Sequence, residues 1–177
     1  IEAANGKQLL IDGGRDDKVL LELAKVMPHG DRSIDVVLAT HPDADHIGGL
    51  PLVLSRYDVG LFLTSQVSTD TEVFQSLYRE LNEKNIPSYY VRSGMELTLD
   101  EILPSHFSVL FPDRDTNGWE TNTASVVGKL LIGERSVLFT GDSPSSIEDY
   151  LLGKNGSELN VDILKLCLLY TSDAADD

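Results

Sequence analysis

The segment Thr40 to Gly49, THPDADHIGG, places His41, Asp43, Asp45 and His46 within six positions, directly after the apolar run Val36-Val37-Leu38-Ala39. Imidazole and carboxylate are the ligand types that suit Zn²⁺, Mn²⁺ or iron. On an extended loop, residues two apart point the same way, so His41 and Asp43 can hold one ion while Asp45 and His46 turn toward a second. Pro42 stiffens the loop, and Gly48-Gly49 let the backbone pass close to the metals. The bland alternative is a solvated Asp-rich turn flanked by surface histidines. Four ligand-type residues at this spacing weigh against it.

Such a loop must sit where a fold builds sites, at the carboxyl end of a strand in an α/β arrangement. The chain order fits. An Asn5-Gly6 turn predicts a hairpin from Ile1-Glu2-Ala3-Ala4 into Lys7 to Ile11. Val19, Leu20, Leu23 and Val26 recur at helical spacing and predict a helix over about 16–26. Behind the motif strand, a helix is expected from about Gly48 to Arg56, then a strand over 61–64. A helix capped by Ser68 or Thr69 should follow and run to about Asn82. Strands are expected near 88–91, 96–99, 106–110, 125–132 and 135–140, the last two meeting at Gly133-Glu134. A short helix over 145–152 and a strand over 161–166 close the order. Asp142 follows the apolar strand Ser136 to Thr140, in a Thr-Gly-Asp turn that alone would read as ordinary capping. Beside the first motif it reads as a further ligand.

These residues carry a resemblance. HxDxDH followed by IGG is similar to the metal motif HxHxDH of the metallo-β-lactamase fold, and the Asp in its second position resembles the hydrolase domain of ComEC-like DNA-uptake competence proteins. Lys7 to Gly14, KQLLIDGG, resembles the family's early strand and Asp-Gly-Gly turn, and Ser136 to Asp142, SVLFTGD, its later strand with a metal-bridging Asp. The resemblance spans 1–166 and implies an αββα sandwich holding two divalent metal ions, Zn²⁺ first and Mn²⁺ as its competitor because Asp43 hardens the first site. It implies His41, Asp43, Asp45, His46 and Asp142 as ligands, with Asp45 also orienting or accepting the proton of an attacking water. Asp12 is expected to brace a ligand rather than bind. Asn122 stands near the position where the wider fold places a third His, and is a candidate for substrate or water contact.

Both ends read as cut. Residue 1 is Ile, and Cys167 to Asp177, CLLYTSDAADD, resembles one reading frame of a sequencing-library adapter and is taken as non-native. The domain is therefore 1–166, a metallo-β-lactamase-like fold truncated at both ends. The family's His-His-Gly-Ser turn would follow Leu166 and supply a ligand to the second metal. Its absence predicts a weaker second site, with Cys167 as an unoriented stand-in. Cys167 is also the single cysteine, so no disulfide is expected.

The formal charge is −15, or −12 without Asp173, Asp176 and Asp177. Tight nucleic-acid binding rests on clustered Lys and Arg, and here Lys18, Lys25, Arg56, Arg79, Lys84 and Arg92 are scattered. No run long and apolar enough to span a bilayer occurs in the sequence. The loop 111–124 opens like an EF-hand with Asp113, Asp115, Asn117 and Gly118, but Ala124 stands where a bidentate Glu is required. His29 and His106 lack ligand-type neighbours, and Trp119 reads as a partly buried aromatic. The resulting expectation is a di-metal hydrolase acting on DNA phosphodiesters in a competence-like context, at the cell envelope if it belongs to such a protein. The alternatives are hydrolysis of a small phosphodiester or ester, and a non-catalytic binding domain of the same fold.

Overall fold

The computed structural model describes residues 1–165. The adapter-like stretch 167–177 and the Cys167 stand-in lie outside the described residues.

Four parallel strands form the first sheet in the order β1 (Leu9–Ile11), β2 (Ser33–Ala39), β3 (Asp58–Thr64), β4 (Ser88–Tyr90). Strand β2 is buried on both faces, which is why it reads as a continuous apolar run. Val37 and Ala39 point into a core shared with helices α1 (Lys18–Val26), α3 (Leu50–Arg56) and α4 (Glu72–Glu83). Val36 and Leu38 point the other way, into a core shared with the second sheet.

That second sheet runs β5 (Glu96–Asp100), β6 (Ser105–Phe111), β7 (Val127–Ile132), β8 (Arg135–Phe139), β9 (Ile163–Lys165). It is antiparallel except for the parallel β8–β9 pair. Phe107, Val109 and Leu130 meet the first sheet. On the far face, Leu110, Val127 and Leu138 pack with Leu151 of α5 (Ser145–Asn155). Three apolar layers thus separate helix, sheet, sheet and helix, the expected αββα sandwich. No helix among the described residues is long and apolar enough to cross a membrane.

Several boundaries differ from expectation, each for a local reason. The metal motif is not wholly an extended loop: Asp45 and His46 ride on a helical turn, α2 (Ala44–Ile47), because the His46 and Ile47 N–H groups both close on the Asp43 carbonyl at 2.9 Å. The helix expected from Gly48 therefore begins at Leu50. Thr71, not Ser68 or Thr69, caps α4, its hydroxyl accepting from Phe74 N at 3.4 Å. A 3₁₀ turn over Asn122–Ala124 delays β7 to Val127. The N-terminal hairpin shrinks to a single Glu2–Gln8 bridge, and β1 pairs in parallel with β2.

Candidate metal centre

The two glycine-containing turns dock backbone to backbone. Gly13 N donates to His46 O at 2.7 Å, and Gly49 N to Gly14 O at 3.0 Å. A Cβ on Gly48 would lie 2.0 Å from Arg15 O, and one on Gly49 2.4 Å from Gly13 O. These glycines thus admit the Asp-Gly-Gly turn rather than the metals, and so fix where α2 sits. Asp12 adopts φ +59°, a left-handed conformation that costs most residues and that Asp tolerates. Such outliers persist where the surroundings over-determine them. Here Asp12 N bonds Leu38 O, and its carboxylate turns onto Thr40 and His46.

The carboxylate orders both imidazoles. Asp12 Oδ2 lies 2.8 Å from His46 Nδ1, so that nitrogen carries the proton. Thr40 Oγ1 lies 2.9 Å from Asp12 Oδ2 and 3.0 Å from His41 Nδ1. The hydroxyl has one proton and Asp12 can only accept, so Thr40 donates to Asp12 and accepts from His41 Nδ1–H. In neutral rings both Nε2 atoms are left as acceptors. The rings lie 4.1 Å apart, centroid to centroid.

His46 Nε2 and the His41 ring converge on Asp142. It is delivered by the turn after β8, where Gly141 adopts φ +54° and Asp142 N donates to Ser125 Oγ at 3.2 Å. One ligand atom from each of His41, His46 and Asp142 lies within 4.8 Å of the others, and all three residues are buried. Asp142 Oδ1 is 2.9 Å from His46 Nε2 but out of alignment for a hydrogen bond, and His41 Nε2 and Asp142 Oδ1 are buried without a hydrogen-bond partner. Buried polar groups are seldom left so. Two imidazole nitrogens and a carboxylate oxygen, oriented from behind and unsatisfied in front, fit a divalent cation.

Asp43 Oδ2 stands 3.7 Å from His41 Nε2, and Asp45 lines a 220 Å³ pocket together with Asp12, Thr40, His46, Gly141 and Lys165. Asp43 thus lies beside His41, and Asp45 shares a pocket with His46, while the two histidines and Asp142 come together at the centre. Asn122 opens the 3₁₀ turn with its Oδ1 buried and unpartnered. Glu120 holds that turn, accepting from Asn122 N, Thr123 N and Thr123 Oγ1. Burial opposes the Glu120 charge, but these bonds and the nearby His41 hold its carboxyl below the ordinary range. His29 is exposed, His106 lies 3.9 Å from Glu96, and Trp119 packs 6.3 Å from the Phe111 ring.

The histidines titrate in opposite directions. Burial and the neighbouring His46 push His41 down, against the pull of Asp12, Asp43 and Asp142. Burial also opposes charge on His46, but the Asp12 hydrogen bond and the carboxylates of Asp12, Asp142 and Asp45 outweigh it and raise its pKa. Thr40 and Lys165 were not singled out from sequence. A threonine at a strand end carries no signal, whereas a lysine two residues from Ile163 on one face of an apolar strand was a signal that could have been read.

The sequence profile of the Metallo-beta-lactamase superfamily matches residues 1–168. No curated protein matches the chain significantly. Among solved structures, the chain is similar to the metallo-beta-lactamase fold protein YhfI from Bacillus subtilis, with 20% identity and TM-score 0.56, over 93% of this chain and 65% of that one. CmlA, a diiron beta-hydroxylase from Streptomyces venezuelae, aligns at 23% identity and TM-score 0.49 over 78% of this chain and 25% of its own. The chain thus spans about a quarter of the hydroxylase and 65% of the Bacillus protein.

Proposed function

The chain belongs to the metallo-beta-lactamase superfamily, and on that premise we propose that it is a metal-dependent hydrolase of phosphodiester bonds, with two divalent ions, Zn²⁺ or Mn²⁺, as cofactor. The observation that carries this reading is the pair of buried, unpartnered atoms, His41 Nε2 and Asp142 Oδ1, converging with His46 Nε2. His41, His46 and Asp142 would hold the ions, with Asp43 and Asp45 completing the shell at either flank. Bound there, divalent ions polarise a phosphoryl oxygen and lower the pKa of water toward neutrality. The remaining work belongs to the chain. Asp12 holds the His46 tautomer directly and the His41 tautomer through Thr40, so neither ring must reorganise when the site fills. Asp45 lines the pocket beside His46 and would orient an attacking water and take its proton. Asn122 is assigned to substrate or water through its unpartnered Oδ1.

DNA is the proposed substrate, in a competence-like setting, because Asp43 replaces the usual second His as in ComEC-like domains. A small phosphodiester is the second reading, favoured by the net charge of −15, which opposes a long polyanion. The test is hydrolysis of bis(p-nitrophenyl) phosphate and of single- and double-stranded DNA after chelation and after restoring Zn²⁺ or Mn²⁺. Activity that depends on metal and is lost in His41→Ala and Asp45→Asn is expected. Activity surviving chelation would remove the reading, and turnover of the small diester without DNA would move it to the second.

A further inference from the structure

Lys165 ends β9 and lines the same pocket as Asp12, Asp45 and His46. Its direction follows from the strand. Lys165 pairs with Phe139 in parallel register, and Phe139 packs on the side facing the first sheet. Leu164 points the opposite way, into the cavity beneath α5. Successive side chains alternate, so Lys165 stands on the Phe139 side of the strand, exposed at the rim of that pocket, while its carbonyl accepts from Thr140 Oγ1 at 3.2 Å.

A lysine here needs a reason. Lys154 pairs with Asp113 at 2.9 Å, and Lys129 bonds the Glu158 and Asn160 carbonyls. Among the described residues, Lys165 makes no ion pair with any carboxylate, although Asp12 and Asp45 share its pocket. Beside divalent cations an ammonium is repelled unless an anion lies between them. We propose that Lys165 is a substrate-binding residue whose ammonium receives a non-bridging oxygen of the phosphoryl group, on the side of that group away from His41. It would neutralise charge that the metals do not reach, and it selects an anionic phosphoryl group over a neutral ester. This inference rests on the metal-site reading above.

The test uses the full 177-residue chain loaded with Zn²⁺, with inorganic phosphate and acetate titrated calorimetrically into wild type, Lys165→Gln and Lys165→Arg. Zinc affinity is measured separately by competition with a chelator. Lys165→Gln should weaken phosphate binding by about tenfold, the size of one lost charge-assisted hydrogen bond. It should leave acetate and zinc affinity within about twofold, as expected for a group outside the metal shell. Lys165→Arg should retain most of the phosphate affinity because the charge is kept. Unchanged phosphate binding in Lys165→Gln would overturn the proposal. So would a parallel loss of zinc, acetate binding that follows phosphate, or a zinc-loaded wild type that ignores phosphate. A wild type that takes up no zinc would instead remove the metal-site reading, and this inference with it.

Discussion

Asp142 and Asp113 both follow a strand of the second sheet, and both are shielded from solvent, yet they are opposites. Asp113 is saturated. Arg114 reaches it at 2.7 Å, Lys154 at 2.9 Å, and Tyr150 donates to it as well, while Arg114 and Lys154 also lie over the Tyr150 ring. Hydrogen bonds from Arg114, Tyr150 and Lys154 hold its carboxyl far below the ordinary range, against a modest opposing effect of burial. The cluster ties the loop after β6 to α5 and asks nothing of a ligand. Asp142 has a backbone anchor through Ser125, one oxygen without a hydrogen bond, and two imidazole nitrogens for company. A carboxylate whose partners are all present serves the fold, and one whose partners are held in place but incomplete serves a ligand.

The comparison breaks most sharply at the site itself. Asp142→Asn and His41→Ala should lower zinc affinity by ~100-fold or more, as loss of a direct ligand does. At a pH where His46 is neutral, Asp142→Asn should leave the metal-free protein about as stable as wild type, because it removes a charge that had no hydrogen bond. Titration calorimetry and thermal melts after chelation report the two quantities, and a large drop in metal-free stability would make Asp142 structural like Asp113.

Next in size is Asp12→Asn. Loss of the acceptor behind His46 should cost about 10–100-fold in metal affinity, the usual range for a partner of a ligating histidine. Thr40→Val, which cuts the link to His41, should cost less. Equal zinc affinity in wild type and Asp12→Asn would show that the tautomer is set elsewhere.

The pH response sharpens the contrast. His46 has a raised pKa and His41 a lowered one, so the metal-free site takes up its first proton on His46. Metal must displace that proton, and affinity should fall about tenfold per pH unit below the His46 pKa. In the metal-free fold, stability gained from charged His46 is present below its unfolded pKa and fades as pH rises through the folded one. His41 runs the other way, destabilising the fold as pH drops below the unfolded value and toward its lowered pKa. Proton release on zinc binding, measured calorimetrically in buffers of different ionisation enthalpy across a pH series, tests this; no release at any pH down to the onset of acid unfolding would contradict it.

The smallest effect belongs to the saturated carboxylate. Asp113→Asn should cost about 1–2 kcal/mol in stability, given partly exposed partners, and leave zinc affinity unchanged. Its depressed pKa means that this stabilisation is present above the unfolded carboxylate pKa and disappears as pH falls into the acid range. A melt series against pH in wild type and Asp113→Asn should converge at low pH.

The same pair explains what could be read from sequence. His41, Asp43, Asp45 and His46 are local, so spacing alone brought them together, and Asp142 stood out because an apolar strand preceded it. The four-layer architecture was legible because apolar runs of strand length alternated with helical periodicity. The helical turn under Asp45 and His46 was not, since four residues are too few to show a period. Nor was the Asp113 cluster, because Tyr150 and Lys154 lie about forty residues away on another element. Thr40 as a relay depends on the left-handed backbone of Asp12, which no spacing rule announces. The apolar strand around Lys165 was legible, but its place beside Asp12 and Asp45 depends on β9 pairing with β8, which no local pattern announces.

The centre draws on both halves of the sandwich. Asp12, His41 and His46 lie in the segments that follow β1 and β2 of the four-stranded sheet, and Asp142 in the turn after β8 of the five-stranded one. Elsewhere the sheets meet through side chains such as Leu38, Phe107 and Val109, contacts that are non-directional and permit small sliding. Coordination bonds do not. An ion gripped from both sides would work as a rivet, locking one rim of the sandwich while the far rim keeps its give. The architecture would then have a stiff end and a compliant one, decided by whether the metal site is filled.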